Sequence, residues 1–297
     1  MKSTLKIPRP LQALVSSLSN IKKEKANMRN VLFTILVAFF TLSAGCSSAA
    51  KLTDEEMKEL LNLTKESDSV ELKVSVQEDD HTSAVQALGL DPIEAEIRQI
   101  YFFDTPNLAL NAAGIAVRAR RIQGGKADTV IKRRPVVPSE IPKDFRLSDS
   151  MKVEVDLLPG SYIASASMKG KTDPADVNKA VAGEMEIKKL FSQEQKDYFK
   201  FYRPDGVKLN DIVPLGPILT LKLKQPVKEL ERDLVAEVWF YPDNTRILEL
   251  STKCMPDETF QVVTETRNFM ISKGVNLEGE QKTKTKTALQ YYSKLLR

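Results

Sequence analysis

Between residues 69 and 252 apolar and polar positions alternate in short runs: Val70, Leu72 and Val74 interleave with Glu71 and Lys73, and Ile115 and Val117 with Ala116 and Arg118. A period of two sends the two sets to opposite faces of a strand. The pattern predicts strands over 69–77, 97–103, 114–121, 129–134, 151–157, 218–224, 233–241 and 245–252. Gly124-Gly125 and Pro242-Asp243-Asn244 punctuate these runs as hairpin turns. Before the strands, Thr53-Asp54-Glu55-Glu56 reads as a capping box opening a helix through Met57, Leu60, Leu61 and Leu63 to about Thr64. Helical spacing returns over 174–202, as one helix or two, and over 281–296, with a shorter helix near 82–88. Leu289, Tyr292 and Leu296 predict that the last helix packs on the outside of the sheet. No solenoid period appears, and no linker-like stretch divides the strands, so residues 53–297 are expected to form one mainly β, α+β domain.

The first 45 residues follow a different pattern. Arg29 precedes an apolar run over 31–42, then Ser43, Ala44 and Gly45 lead to Cys46, the order of a secretory signal. The run is shorter than the roughly 20 residues a spanning helix needs. It resembles a bacterial lipoprotein signal, although Ser43 stands where such signals usually carry leucine. The resemblance implies lipidation of Cys46, a tether over 46–52 and Met28 as the better start. Ser47 implies retention at the outer membrane, so the expected location is the cell envelope, on the periplasmic face of that membrane. Charge supports the division. Seven of the 44 Lys and Arg but one of the 40 Asp and Glu fall in residues 1–45, which leaves 37 against 39 beyond them. A slightly negative mature chain is not expected to bind nucleic acid, and two cysteines exclude a disulfide-rich scaffold.

Within the strands, charges share parity. Glu71 with Lys73, Arg118 with Arg120, Lys132 with Arg134, Lys222 with Lys224, and Lys152 with Glu154 and Asp156 each line one face against apolar partners; Glu249, Ser251 and Lys253 do the same. An antiparallel sheet with one solvated side explains this. So does a closed sheet with the charged faces inward, which would focus cations on a polyanion and offer carboxylates to a hard divalent ion. The pattern alone leaves both open.

The stretch Ile100-Tyr101-Phe102-Phe103-Asp104-Thr105-Pro106 to Leu110, followed by Gly114-Ile115-Ala116-Val117-Arg118-Ala119-Arg120, resembles the hallmark of the CYTH superfamily, the triphosphate tunnel metalloenzymes. The resemblance covers roughly residues 68–255. It implies an eight-stranded antiparallel β-barrel, or tunnel, decorated by helices, with basic residues on a triphosphate and acidic residues on Mg²⁺ or Mn²⁺. Residue by residue, it implies phosphate ligands at Lys73, Arg118, Arg120, Lys132, Arg134, Lys222 and Lys224. The implied metal ligands are Glu71, Glu154, Asp156, Glu237 and Glu249, with Glu154 and Lys73 as the catalytic pair. Two positions depart from the pattern: Ser69 and Ser251 stand where carboxylates are usual.

Two functional expectations follow. One is metal-dependent hydrolysis of inorganic tripolyphosphate or an organic triphosphate. The other is a catalytically degenerate lipoprotein that binds a polyphosphate, another polyanion or a protein partner. A cyclase is the weaker reading, since an exported protein rarely meets ATP. Oligomeric state has no signal in the chain.

Overall fold

The computed structural model describes residues 53–277 and 279–296. The signal segment, Cys46 and the tether lie outside the described residues. The strands are β1 (Ser69–Val76), β2 (Glu96–Asp104), β3 (Ile115–Ile122), β4 (Lys126–Arg133), β5 (Met151–Leu158), β6 (Ser161–Thr172), β7 (Val213–Val227), β8 (Arg232–Phe240) and β9 (Arg246–Cys254). The helices are α1 (Asp54–Lys65), α2 (His81–Ala87), α3 (Ala109–Ala112), α4 (Lys143–Arg146), α5 (Pro174–Val181), α6 (Gln193–Tyr202), α7 (Thr259–Ser272) and α8 (Lys284–Leu295).

The strands close into a barrel in the order β1-β5-β6-β4-β3-β2-β7-β8-β9, with β9 returning to β1. The mainly β barrel decorated by helices is the expected class, with one strand more than the eight expected. An odd number of strands cannot close with every neighbour antiparallel, and the parallel seam falls between β1 and β5. The additional strand is β6. Its run of Ser, Ala, Gly and Lys has little hydrophobic contrast, so the periodicity passes over it. Those small residues let α6 approach closely: Tyr198 donates to the Ala166 carbonyl, and the Gln195 amide donates to the Thr129 and Met168 carbonyls. A Cβ at Gly170 would sit 2.4 Å from Gln195 Oε1.

Alternation sorts the barrel wall as the pattern predicts. Val70 and Leu72 point outward with Val155 and Leu157, beneath Leu60 of α1 and Val262 and Val263 of α7. Val117, Ala119, Ile131, Ala166 and Met168 point outward beneath α5 and α6. The capping box of α1 is present, with the Thr53 hydroxyl accepting from the Glu56 amide and the Glu56 carboxylate from the Thr53 amide. Residues 174–202 form two helices, and α7 lies in a stretch where no helix was expected, its apolar positions being spread around the axis.

α8 departs from expectation. Its Ala288, Leu289 and Tyr292 pack on Ile100, Phe102, Ile218, Trp239 and Ile247. These have the same strand parity as Arg98, Thr220, Glu237 and Glu249, and so belong to the inner face. The helix therefore packs inside the barrel, because one patch of inner wall is aromatic and aliphatic and needs an apolar partner.

Candidate functional site

The inner face of β2, between its apolar positions and the rim, starts the charged part of the tunnel. The hallmark stretch positions it. Asp104 is buried and accepts the amides of Thr105 (2.7 Å), Leu110 (2.9 Å) and Asn111 (2.9 Å), which fixes the turn from β2 into α3. Gly114, with φ +69°, then starts β3; a Cβ there would meet the Arg134 carbonyl oxygen at 2.2 Å. The aspartate of the hallmark is thus structural, and it sets where Arg118 and Arg120 point.

The acidic side chains gather on β1, β5, β8 and β9, and each is in an ion pair. Lys73 Nζ bridges Glu71 (3.2 Å) and Asp156 (3.0 Å). Lys253 bridges Glu71 (3.6 Å) and Glu154. Ser69, where a carboxylate was expected, donates its hydroxyl to Glu154 Oε1 at 3.4 Å. Ser251 is buried directly opposite Lys73 in the β1–β9 register. On the other side, Glu237 meets Lys222 (2.9 Å) and Lys284 (2.5 Å), and Lys284 also meets Glu249 (2.9 Å). Burial alone would push these carboxyls up, but the lysines more than offset it. Lys253, with its charge and hydrogen bond, and Lys132 take Glu154 down to about 2. Lys73 and Lys132 lower Asp156, and Lys284 and Lys222 hold Glu237 well below the carboxylate range.

The basic side chains on β3, β4 and β6 are placed differently. Arg120 is taken by Asp128 in a two-pronged pair, 2.8 Å and 2.5 Å. Arg118, Lys132, Arg134 and Lys169 form no ion pair with any described residue, and Arg118 Nε is buried without a hydrogen-bond partner. Burial, followed by repulsion from Arg120, pulls Arg118 down to about 9. Burial pulls Lys132 down to about 8 against the attraction of Asp156, and it lowers Arg134 and Lys169 as well. Buried cations without counter-ions are costly, and that cost falls on Arg118, Lys132 and Arg134, whereas Lys169 is exposed.

The parity pattern thus brings Lys73, Arg118, Arg120, Lys132, Lys222, Glu71, Glu154, Asp156, Glu237 and Glu249 onto the inner face, and Arg134, just past β4, lies within electrostatic reach of Asp156 and Glu249. Lys224 is on the rim, paired with Asp233 (2.7 Å) and two-thirds exposed. Sequence reasoning missed Asp128, Lys169, Arg98 and Lys284. Asp128 has the parity of Lys132 and was within reach of the same rule. Lys169 lies in the unread strand, the charged partner of Arg98 in parity, Glu96, falls just before the strand expected from residue 97, and Lys284 lies outside the sheet.

Glu71, Glu154 and Asp156 offer the hard oxygen donors that Mg²⁺ or Mn²⁺ favours. Yet every one already shares a lysine ammonium, and among the described residues no three Asp, Glu, His or Cys side chains converge as an ion requires. As placed, the donor set does not fit a resident divalent ion.

No protein-family model and no curated protein matches the chain. Solved structures do. A candidate adenylyl cyclase from Hippeastrum, described as having a dominant triphosphatase activity, superposes with a TM-score of 0.54 at 17% identity, covering 74% of this chain and 95% of its own. A candidate adenylate cyclase from Bacillus halodurans gives 0.52 at 11% identity, covering 75% and 96%. The protein has the CYTH-like tunnel fold.

Proposed function

We propose that the tunnel binds the triphosphate group of a short inorganic polyphosphate, or of an organic triphosphate, without needing a metal ion to do so. The observation that carries this reading is the arc of Arg118, Lys132, Arg134 and Lys169. These cations come from β3, β4 with the residue after it, and β6, adjacent parts of an inner wall whose carboxylates are already neutralised by Lys73, Lys253, Lys222 and Lys284. Arg118 offers a forked donor and Lys132 a compact ammonium, the two chemistries that hold phosphoryl oxygens. Binding a polyanion would restore the charge balance that burial disturbs and raise the affinity of Lys132 for its proton. With lipid on Cys46, the tunnel would stand at the membrane surface of the cell envelope, where tripolyphosphate is a more accessible ligand than ATP.

Metal-dependent hydrolysis with Mg²⁺ or Mn²⁺ is the second reading. In its favour, Glu154 stays ionised down to about pH 2 and lies within electrostatic reach of Lys132 and Lys169, and the Hippeastrum protein of similar fold is described as a triphosphatase. Against it stand Ser69 and Ser251, and the lysines on every acidic side chain. Two variants separate the readings. Arg118→Ala should weaken tripolyphosphate binding about 10- to 100-fold, the value of one or two charged hydrogen bonds. Glu154→Gln should leave binding intact. Phosphate release from tripolyphosphate that requires Mg²⁺ or Mn²⁺ and vanishes in Glu154→Gln would establish the hydrolase. Unchanged affinity in Arg118→Ala would end both readings.

A further inference from the structure

Lys284 is the first residue of α8, in the repeat Thr283-Lys284-Thr285-Lys286-Thr287. A lysine at a helix N-terminus faces the positive end of the helix dipole, and no acidic residue occupies that first turn to offset it. Nothing in the helix itself accounts for a cation at this position. Lys286, two residues on, is exposed, whereas the Lys284 side chain is 14% exposed and turned into the barrel. There it meets Glu237 and Glu249 and lies over the Trp239 ring, 5.1 Å from its centroid. Its backbone is tied down as well. The Tyr241 hydroxyl donates to the Lys284 carbonyl (2.9 Å), Tyr292 donates to the Pro217 carbonyl, and the Ser75 amide donates to Gln281 Oε1 (2.8 Å) just before the helix. Ala288, Leu289 and Tyr292 anchor the following turns on the inner wall. The ammonium is delivered by a packed helix, not by a free side chain reaching across open space.

We propose that Lys284 is a tethered counter-ion that takes the place of a divalent cation at Glu237 and Glu249, making this half of the tunnel independent of metal. Glu237 and Glu249, facing each other in the β8–β9 register, are the pair of acidic side chains in which a hard cation would be most welcome were the lysine absent. With Lys284 between them and Lys222 also 2.9 Å from Glu237, the two carboxylates are matched by two ammonium groups, so the pair neither repels a polyanion nor recruits an ion. The inference concerns cation occupancy alone and stands whether or not tripolyphosphate is the ligand.

The test is Mn²⁺ titration of the purified full chain, followed by the loss of the free-ion electron paramagnetic resonance signal. Wild type and Glu249→Gln should bind the same number of Mn²⁺ equivalents. Lys284→Met should gain one equivalent, and Lys284→Met with Glu249→Gln should lose it again. A folded Lys284→Met that gains no Mn²⁺ overturns the proposal. So does a wild-type equivalent that disappears in Glu249→Gln. Should Lys284→Met not fold, the comparison of wild type with Glu249→Gln decides by itself, since equal stoichiometry supports the tethered lysine and a lost equivalent refutes it. Tripolyphosphate titrated into the same variants separates this from the ligand reading: wild type without affinity for it would defeat the proposed function and leave the Mn²⁺ result standing.

Discussion

Arg118 and Lys132 show what single residues contribute. Both are cations inside a protein wall with no described counter-ion, and burial weakens their hold on a proton, to about 9 and about 8 respectively. For Lys132 the consequence has two opposite signs. The unfolded chain holds this proton to the usual lysine value of 10.5, so between about pH 8 and 10.5 the empty protein gains stability from this group as pH rises. A phosphate ligand favours the ammonium, so affinity falls over the same rise. One linked proton predicts that tripolyphosphate affinity drops about 30-fold between pH 7 and pH 9.5, with Lys132→Arg flattening the profile; titration calorimetry across that range checks it. Most of these residues were legible because charge recurs with the strand period. The pairing of each carboxylate with a lysine was not. Glu71 with Lys73 shares a strand, but Glu154 with Lys253 and Glu249 with Lys284 join residues 99 and 35 positions apart, and only the closed barrel in the first case and the packing of α8 in the second bring them together.

At the scale of elements, the strands with strong hydrophobic contrast were readable to within a few residues, whereas β6 and α7 were not. β6 is defined by what covers it: Gln195, fully buried, fills its four hydrogen-bonding roles with the Thr129 hydroxyl and carbonyl, the Met168 carbonyl and the Ser192 amide. Gly170 leaves the space for it. Gly170→Ala should therefore displace Gln195 and cost about 2–3 kcal/mol, through overpacking and unsatisfied buried groups. A thermal melt showing that loss, set against Ala182→Ser at an exposed helix end as a surface control, checks it. α8 carries the converse lesson. Its apolar stripe correctly announced a buried face, but periodicity does not say which side of a sheet a helix will cover. That was decided by Phe102, Trp239 and Ile247, which share strand parity with Arg98, Glu237 and Glu249 respectively and put a large apolar patch on the inner wall.

Over the whole molecule, net charge hides the organisation. The described barrel separates its charges: acidic groups with bound lysines on β1, β5, β8 and β9, and uncompensated cations on β3, β4 and β6. The hallmark stretch made the tunnel legible, and strand parity indicated which side chains line it. The state of those side chains, paired or free, depends on closure of the barrel and on a helix beyond its last strand, and neither has a local signal. Ser69 and Ser251 fit this arrangement, since a neutral hydroxyl at each position spares the tunnel two further charges that would each need a lysine. In the reading proposed above, the free cations bind a triphosphate without help from a metal. Calorimetric titration of tripolyphosphate into the purified full chain, once with a chelator and once with Mg²⁺, tests it most directly. One equivalent should bind with the chelator present, at an affinity that Mg²⁺ does not raise. Binding that appears only when Mg²⁺ or Mn²⁺ is supplied would contradict it.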